Sequence, residues 1–150
     1  MLNWLYNDKR IESIEDFPES TFGFIYITTH TPTGKKYLGK KSLYHNIKKK
    51  LTKKELAEQT GPGRKPTTIT IQKESDWKIY YGSEEFIKQK IKEKKQEEFT
   101  REIIQFVFNK KLLTYFECKY QFQLGVLESN EWLNTNILGK FFSKDFATQE

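Results

Sequence analysis

Tyr26 and Tyr37 stand with ten residues between them, Glu117 follows far along the chain, and residues 35–54 hold nine lysines and no acid. A phenol can orient water or an anion by hydrogen bonding. It accepts a proton only as phenolate, and an ordinary pKa near 10 keeps it protonated at neutral pH unless cations adjoin it. The lysine block suggests a polyanionic partner, with a solvated helix face as the other reading. The formal charge of +6 is unevenly spread, because residues 1–20 are acidic.

These groups need elements to hold them. Residues 21–29, TFGFIYITT, are rich in β-branched and aromatic side chains, and residues 35–39, KKYLG, follow across Thr31-Pro32-Thr33-Gly34, so a β-hairpin is predicted. With Pro32 and Thr33 central in the turn, Thr28 faces Tyr37 and Tyr26 faces Gly39, and both tyrosines share one side. Gly39 then leaves space beside Tyr26.

Leu43, Ile47 and Leu51 recur at helical spacing, predicting a basic amphipathic helix over residues 43–58 with Lys48, Lys49, Lys50, Lys53 and Lys54 mostly on its outer face. Gly61-Pro62-Gly63-Arg64-Lys65-Pro66 ends it as a mobile loop, and TTITIQ after that reads as a short strand. Ser83 is the expected N-cap of a helix running to about Lys95, and residues 98–108 read as a strand. A last helix over residues 109–124 directs Leu113, Phe116, Tyr120 and Leu124 inward, with Glu117 bordering that face. Carboxylates are costly at such a border unless paired or bound to metal. The class is α+β, a small central antiparallel sheet flanked by helices, in one domain over residues 1–150 with a basic helix and loop inserted at about 43–75.

Cys118 alone cannot form an intramolecular disulfide, and with only His30 and His45 it makes no zinc set. No run approaches the roughly 20 apolar residues of a membrane span, and the N-terminus lacks a signal-peptide pattern, so a soluble, cytoplasmic protein is expected.

Phe24-Ile25-Tyr26, then Tyr37-Leu38-Gly39, resembles the two half-motifs of the GIY-YIG nucleases on their β-hairpin. The first glycine is replaced by Phe24, with Gly23 adjacent. YLGKKS, SDWKIYYGS at residues 75–83, FTREII at residues 99–104 and a Glu-bearing helix extend the similarity, over roughly residues 20–137, to the Seg-like phage endonucleases.

The resemblance implies metal-dependent hydrolysis of DNA phosphodiester bonds in the host cell of a phage. Tyr26 corresponds to the family's general base, helped by Lys40, Lys41 and the cation, Tyr37 to a group orienting water or phosphate, and Glu117 to the metal ligand. Oxygen ligation suits Mg²⁺ or Mn²⁺. Asn134 resembles the family's late asparagine. The family's arginine on the helix after the second half-motif has no counterpart here; Lys48 is the substitute from that neighbourhood and Arg64 the alternative. Lys41, Lys49, Lys50, Lys53, Lys54, Arg64 and Lys65 are expected to contact DNA.

Simpler readings stand beside these. The tyrosines could be packing residues, Glu117 an ion-pair partner of a lysine or Arg101, Asn134 a turn residue, and the whole a non-catalytic nucleic-acid-binding domain. Trp77 reads as core rather than as a base-stacking platform. A monomer would nick DNA, whereas a dimer or a second encounter would be needed for a double-strand break.

Overall fold

In the computed structural model, which describes residues 3–148, the chain opens on a hairpin of β1 (Trp4–Tyr6) and β2 (Lys9–Ile11). Its turn residues Asn7 and Asp8 have φ of 50° and 65°, the left-handed pair that a two-residue hairpin turn needs. Strands β3 (Gly23–His30) and β4 (Lys35–Ser42) pair in the predicted register, Thr28 opposite Tyr37 and Tyr26 opposite Gly39. Next come β5 (Tyr44–Lys50), α1 (Lys53–Ala57) and β6 (Thr68–Glu74), then α2 (Glu85–Lys92), β7 (Phe99–Val107), α3 (Lys110–Gln123), β8 (Asn136–Ile137) and β9 (Phe141–Phe142).

Two compact units result: Met1–Leu43 with Asp76–Glu150, and Tyr44–Ser75. The first is built on a five-stranded sheet ordered β2-β1-β7-β3-β4. It is the expected α+β arrangement of a central sheet with helices, antiparallel except where β1 runs parallel to β7. One sheet face carries Ile25 and Leu38, which pack with Val107 and with Leu113 of α3. The other carries Phe24 and Tyr26 against Trp4, with ring centroids 4.9 and 5.2 Å apart. Trp77 is fully buried, as its core reading required, and its carbonyl accepts from Trp4 Nε1 at 2.7 Å.

Three sequence expectations need correction. Residues 44–50 form strand β5, not a helix, paired along its length with β6 (Ile47 opposite Ile71, Lys48 opposite Thr70), and only Lys53–Ala57 is helical. A spacing of four satisfies a period of two as well as one of 3.6, so Leu43, Ile47 and Leu51 could not decide between them. The β-branched run Thr68-Ile69-Thr70-Ile71 supplies the strand partner that does.

Secondly, the cap of α2 is Glu84, whose carboxylate accepts from the N–H groups of Phe86 and Ile87, so the helix starts later than expected and ends at Lys92. Thirdly, Leu124 is exposed whereas Gln121 is buried, so the inward stripe of α3 is Leu113, Phe116, Tyr120 and Gln121. The loop at residues 61–66 is braced by Gln59, which donates to the Pro66 carbonyl at 2.8 Å, and by Lys65, which donates to the Gln59 carbonyl at 3.1 Å. Among the described residues no helix is long and apolar enough to cross a membrane.

Candidate active site

Strand β4 is an edge of the five-stranded sheet, and its outward backbone groups set the geometry of the site. Unpaired edge groups are costly when buried, so something must meet them. Lys36 is met by backbone: its N–H donates to Glu131 and its carbonyl accepts from Leu133 at 2.6 Å. Two residues on, Leu38 is met by one side chain. Asn134 Oδ1 accepts its N–H at 3.0 Å and Asn134 Nδ2 donates to its carbonyl at 2.8 Å. Two further on, the Lys40 backbone and ammonium both favour the charged form of the Glu117 carboxylate. One strand edge thereby fixes Asn134, and Lys40 on the same strand lies near Glu117.

The amide of Asn134 is engaged at both ends, and the residue is buried, so it acts as a positioning residue. Asn134→Ala would leave a buried N–H and C=O of Leu38 without partners, at a cost of about 3 kcal/mol. A thermal melt followed by circular dichroism should show Tm lowered by roughly 10 °C.

Around this edge lies a cavity of about 400 Å³. Tyr37 and Lys40 of β4, Thr114 and Glu117 of α3, and Ser83 and Glu84 at the start of α2 are among its lining residues. Successive strand residues point to opposite faces, so Tyr37 and Lys40 can meet in one cavity only at an edge. Tyr37 Oη lies 3.0 Å from Ser83 Oγ, and Lys40 Nζ donates to Thr114 Oγ1 at 2.8 Å.

Burial pushes the Glu117 carboxyl above its ordinary value, with the nearby Lys40 opposing that shift. Arg101, the other ion-pair partner considered, is engaged elsewhere: it donates to the carbonyls of Lys78 and Tyr80 and stacks on Trp4 and Tyr81. Burial brings its pKa down to about 10.

Tyr26 lies beside the cavity, its ring 6.3 Å from that of Tyr37. It sits at a β-bulge, where the pairing of β3 with β7 shifts between Ile25 and Tyr26, a device that re-aims a side chain. Its ring lies across Gly39: a Cβ there would fall 2.5 Å from Tyr26 Oη, so no larger residue fits without moving the phenol. Gly23 serves the other end of the hairpin, since a Cβ there would fall 2.5 Å from the Lys41 carbonyl oxygen. A glycine is therefore needed next to Phe24, one position before the motif places it.

Burial, followed by the neighbouring Tyr80 and Tyr37 phenols, holds the Tyr26 pKa well above the ordinary 10.0. Burial also raises that of Tyr37. The lysines expected to favour a phenolate bond other groups, Lys40 to Thr114 and Lys41 to Asp76 at 2.5 Å, with Lys41 Nζ also 4.2 Å from the centre of the Tyr80 ring. Lys41 is thus an ion-pair partner within this unit.

Lys48 lies on strand β5 of the second unit and not on a helix, and within the first unit Lys40 lines the cavity. Lys49 and Lys50 share that strand, Lys53 and Lys54 lie on α1, and Arg64 and Lys65 on the braced loop, all exposed. Ser83, read from sequence only as a helix cap, joins the site with Thr114, and Tyr80 adjoins it; none of the three was expected there as a site residue. Only the YYGS run inside the family-like segment pointed toward two of them.

Over residues 4–137 the chain matches the family model described as "Putative endonuclease segE, GIY-YIG domain". Comparison with curated proteins and with solved structures returned no match. The match takes in the hairpin, the cavity and the inserted unit alike, and the chain belongs to the SegE GIY-YIG endonuclease-domain family.

Proposed function

We propose that this nuclease-family domain is a metal-dependent endonuclease that hydrolyses DNA phosphodiester bonds at the edge of β4. The observation that carries this reading is the Glu117 carboxylate, half-buried near Lys40 and lining a cavity that Tyr37 also lines. Such a carboxylate gains from a cation.

The donor set suits Mg²⁺ or Mn²⁺. Among the described residues no three His, Cys, Asp or Glu side chains cluster, and these hard cations keep several waters while using one or two carboxylates with substrate phosphate. Glu117 would hold the ion, with Glu84 the other carboxylate lining the cavity. When bound, the ion supplies positive charge to the phosphate oxygens and favours ionisation of nearby water and phenol.

The remaining work falls to the chain. Lys40 places its ammonium where phosphate charge develops. Tyr37, paired with Ser83, orients the incoming group. Tyr26, acting as the phenolate, takes the proton of the attacking water as the new P–O bond forms; the bond to the sugar oxygen breaks and that oxygen leaves with a proton taken from solvent water.

One observation favours a non-catalytic DNA-binding domain instead: among the described residues of the first unit no arginine lines the cavity, Arg10 lying on β2 and Arg101 on carbonyls. Turnover separates the two. With Mg²⁺ and labelled duplex in excess, the full chain should release several product molecules per protein molecule; duplex retained uncut by folded protein would favour the binding domain.

A further inference from the structure

The second unit holds eight lysine and arginine residues against three glutamates, so its 32 residues carry +5 of the chain's formal +6. Its frame is the ribbon of β5 and β6, seven residues long on each strand. Directly opposed residues share a face, and the two faces differ in chemistry. One presents His45 with Lys73, Ile47 with Ile71 and Lys49 with Ile69, apolar at its centre. The other presents Asn46 with Gln72, Lys48 with Thr70 and Lys50 with Thr68, all exposed.

We infer that this second face enters the major groove of duplex DNA and reads base edges, Asn46 and Gln72 selecting adenine. The inference rests on the proposed DNA substrate and adds sequence recognition to it. Three observations carry it. A two-stranded ribbon is one of the two elements that a groove about 12 Å wide admits. The facing pairs lie about 6.8 Å apart along the strands, roughly two base-pair steps, so three successive pairs address about five base pairs. Asn and Gln amides match the N6 donor and N7 acceptor of adenine bidentately, whereas the isoleucine face offers no such donors or acceptors.

Charge complements the groove from outside the reading face. Lys49 lies on the opposite face of β5, and Lys53 and Lys54 on α1, all exposed outside the reading face; in this inference they meet phosphates, which hold a protein on the duplex without reading sequence. The lysines thus supply affinity and the amides selection.

The test is selection of preferred sites from a randomised duplex library by the full chain in EDTA, followed by affinity measurements on the selected site. The parent should enrich a short adenine-containing site. Asn46→Ala with Gln72→Ala should reduce the preference for that site over random duplex by roughly 5- to 150-fold, with the salt slope unchanged, which also shows that the ribbon is still folded. Replacing the site's adenines by 7-deazaadenine should weaken the parent and leave the double variant unaffected. Lys49→Gln, Lys53→Gln and Lys54→Gln together should weaken all sequences alike and flatten the salt slope by up to about 3. Duplex binding with no preference, a preference that survives the double variant, or indifference to 7-deazaadenine would overturn the inference while leaving the DNA reading intact. Failure of the parent to bind duplex at all would overturn both.

Discussion

Glu117→Gln should lower phosphodiester cleavage by about 10²-fold or more and raise the Tm of the protein at neutral pH. The two effects have one cause. Burial raises the Glu117 pKa in the folded chain, so ionisation is less favourable there than in the unfolded chain. For a group raised in this direction, the stabilising contribution is present below the unfolded value and is lost as pH rises through the folded value. At neutral pH the free carboxylate is therefore a liability to the fold. Glutamine keeps the size and shape of the side chain and removes the charge. Melting at pH 7 should favour the variant, and the difference should shrink as pH falls through the ordinary carboxylate range. A variant that is both less stable and fully active would show that Glu117 is a structural ion-pair partner.

Tyr26→Phe should also cost at least about 10²-fold in cleavage, with the fold largely intact, because the change removes one oxygen from a ring held by Trp4, Phe24 and Gly39. Its pH profile is the more informative readout. With the phenol pKa pushed well above 10.0, only a small fraction is phenolate at neutral pH, so the parent's rate should rise about tenfold per pH unit through the neutral range. The phenylalanine variant should lose that rise. Equal activity, or an equal pH dependence, would remove Tyr26 from the reaction.

The hairpin was legible because its period, its turn residues and its length agree, and four loop residues then fix the register and with it the shared side of Tyr26 and Tyr37. Helix α3 was legible through its apolar stripe, which placed Glu117 at the border of that face, and Asn109 proves to be its cap. The lysine segment was misread because residues four apart share a face in either structure, and the deciding evidence, pairing with Thr68–Glu74, lies 18 or more residues away.

Asn134 and Ser83 illustrate the same limit at the site. Their hydrogen bonds to Leu38 and Tyr37 span 96 and 46 residues, and local sequence carries no mark of either. Asn7-Asp8, by contrast, was a readable turn pair between the aromatic Trp4-Leu5-Tyr6 and Lys9-Arg10-Ile11, and the first hairpin could have been found from it.

The most direct measurement is incubation of the full chain with supercoiled plasmid, in Mg²⁺ and in EDTA, with Glu117→Gln in parallel. Nicked or linear product is expected from the parent in Mg²⁺ alone, with plasmid left intact in EDTA and by the variant. Equal cleavage in Mg²⁺ and EDTA, or plasmid left intact by folded parent protein in Mg²⁺, would contradict a metal-dependent nuclease site at the edge of β4.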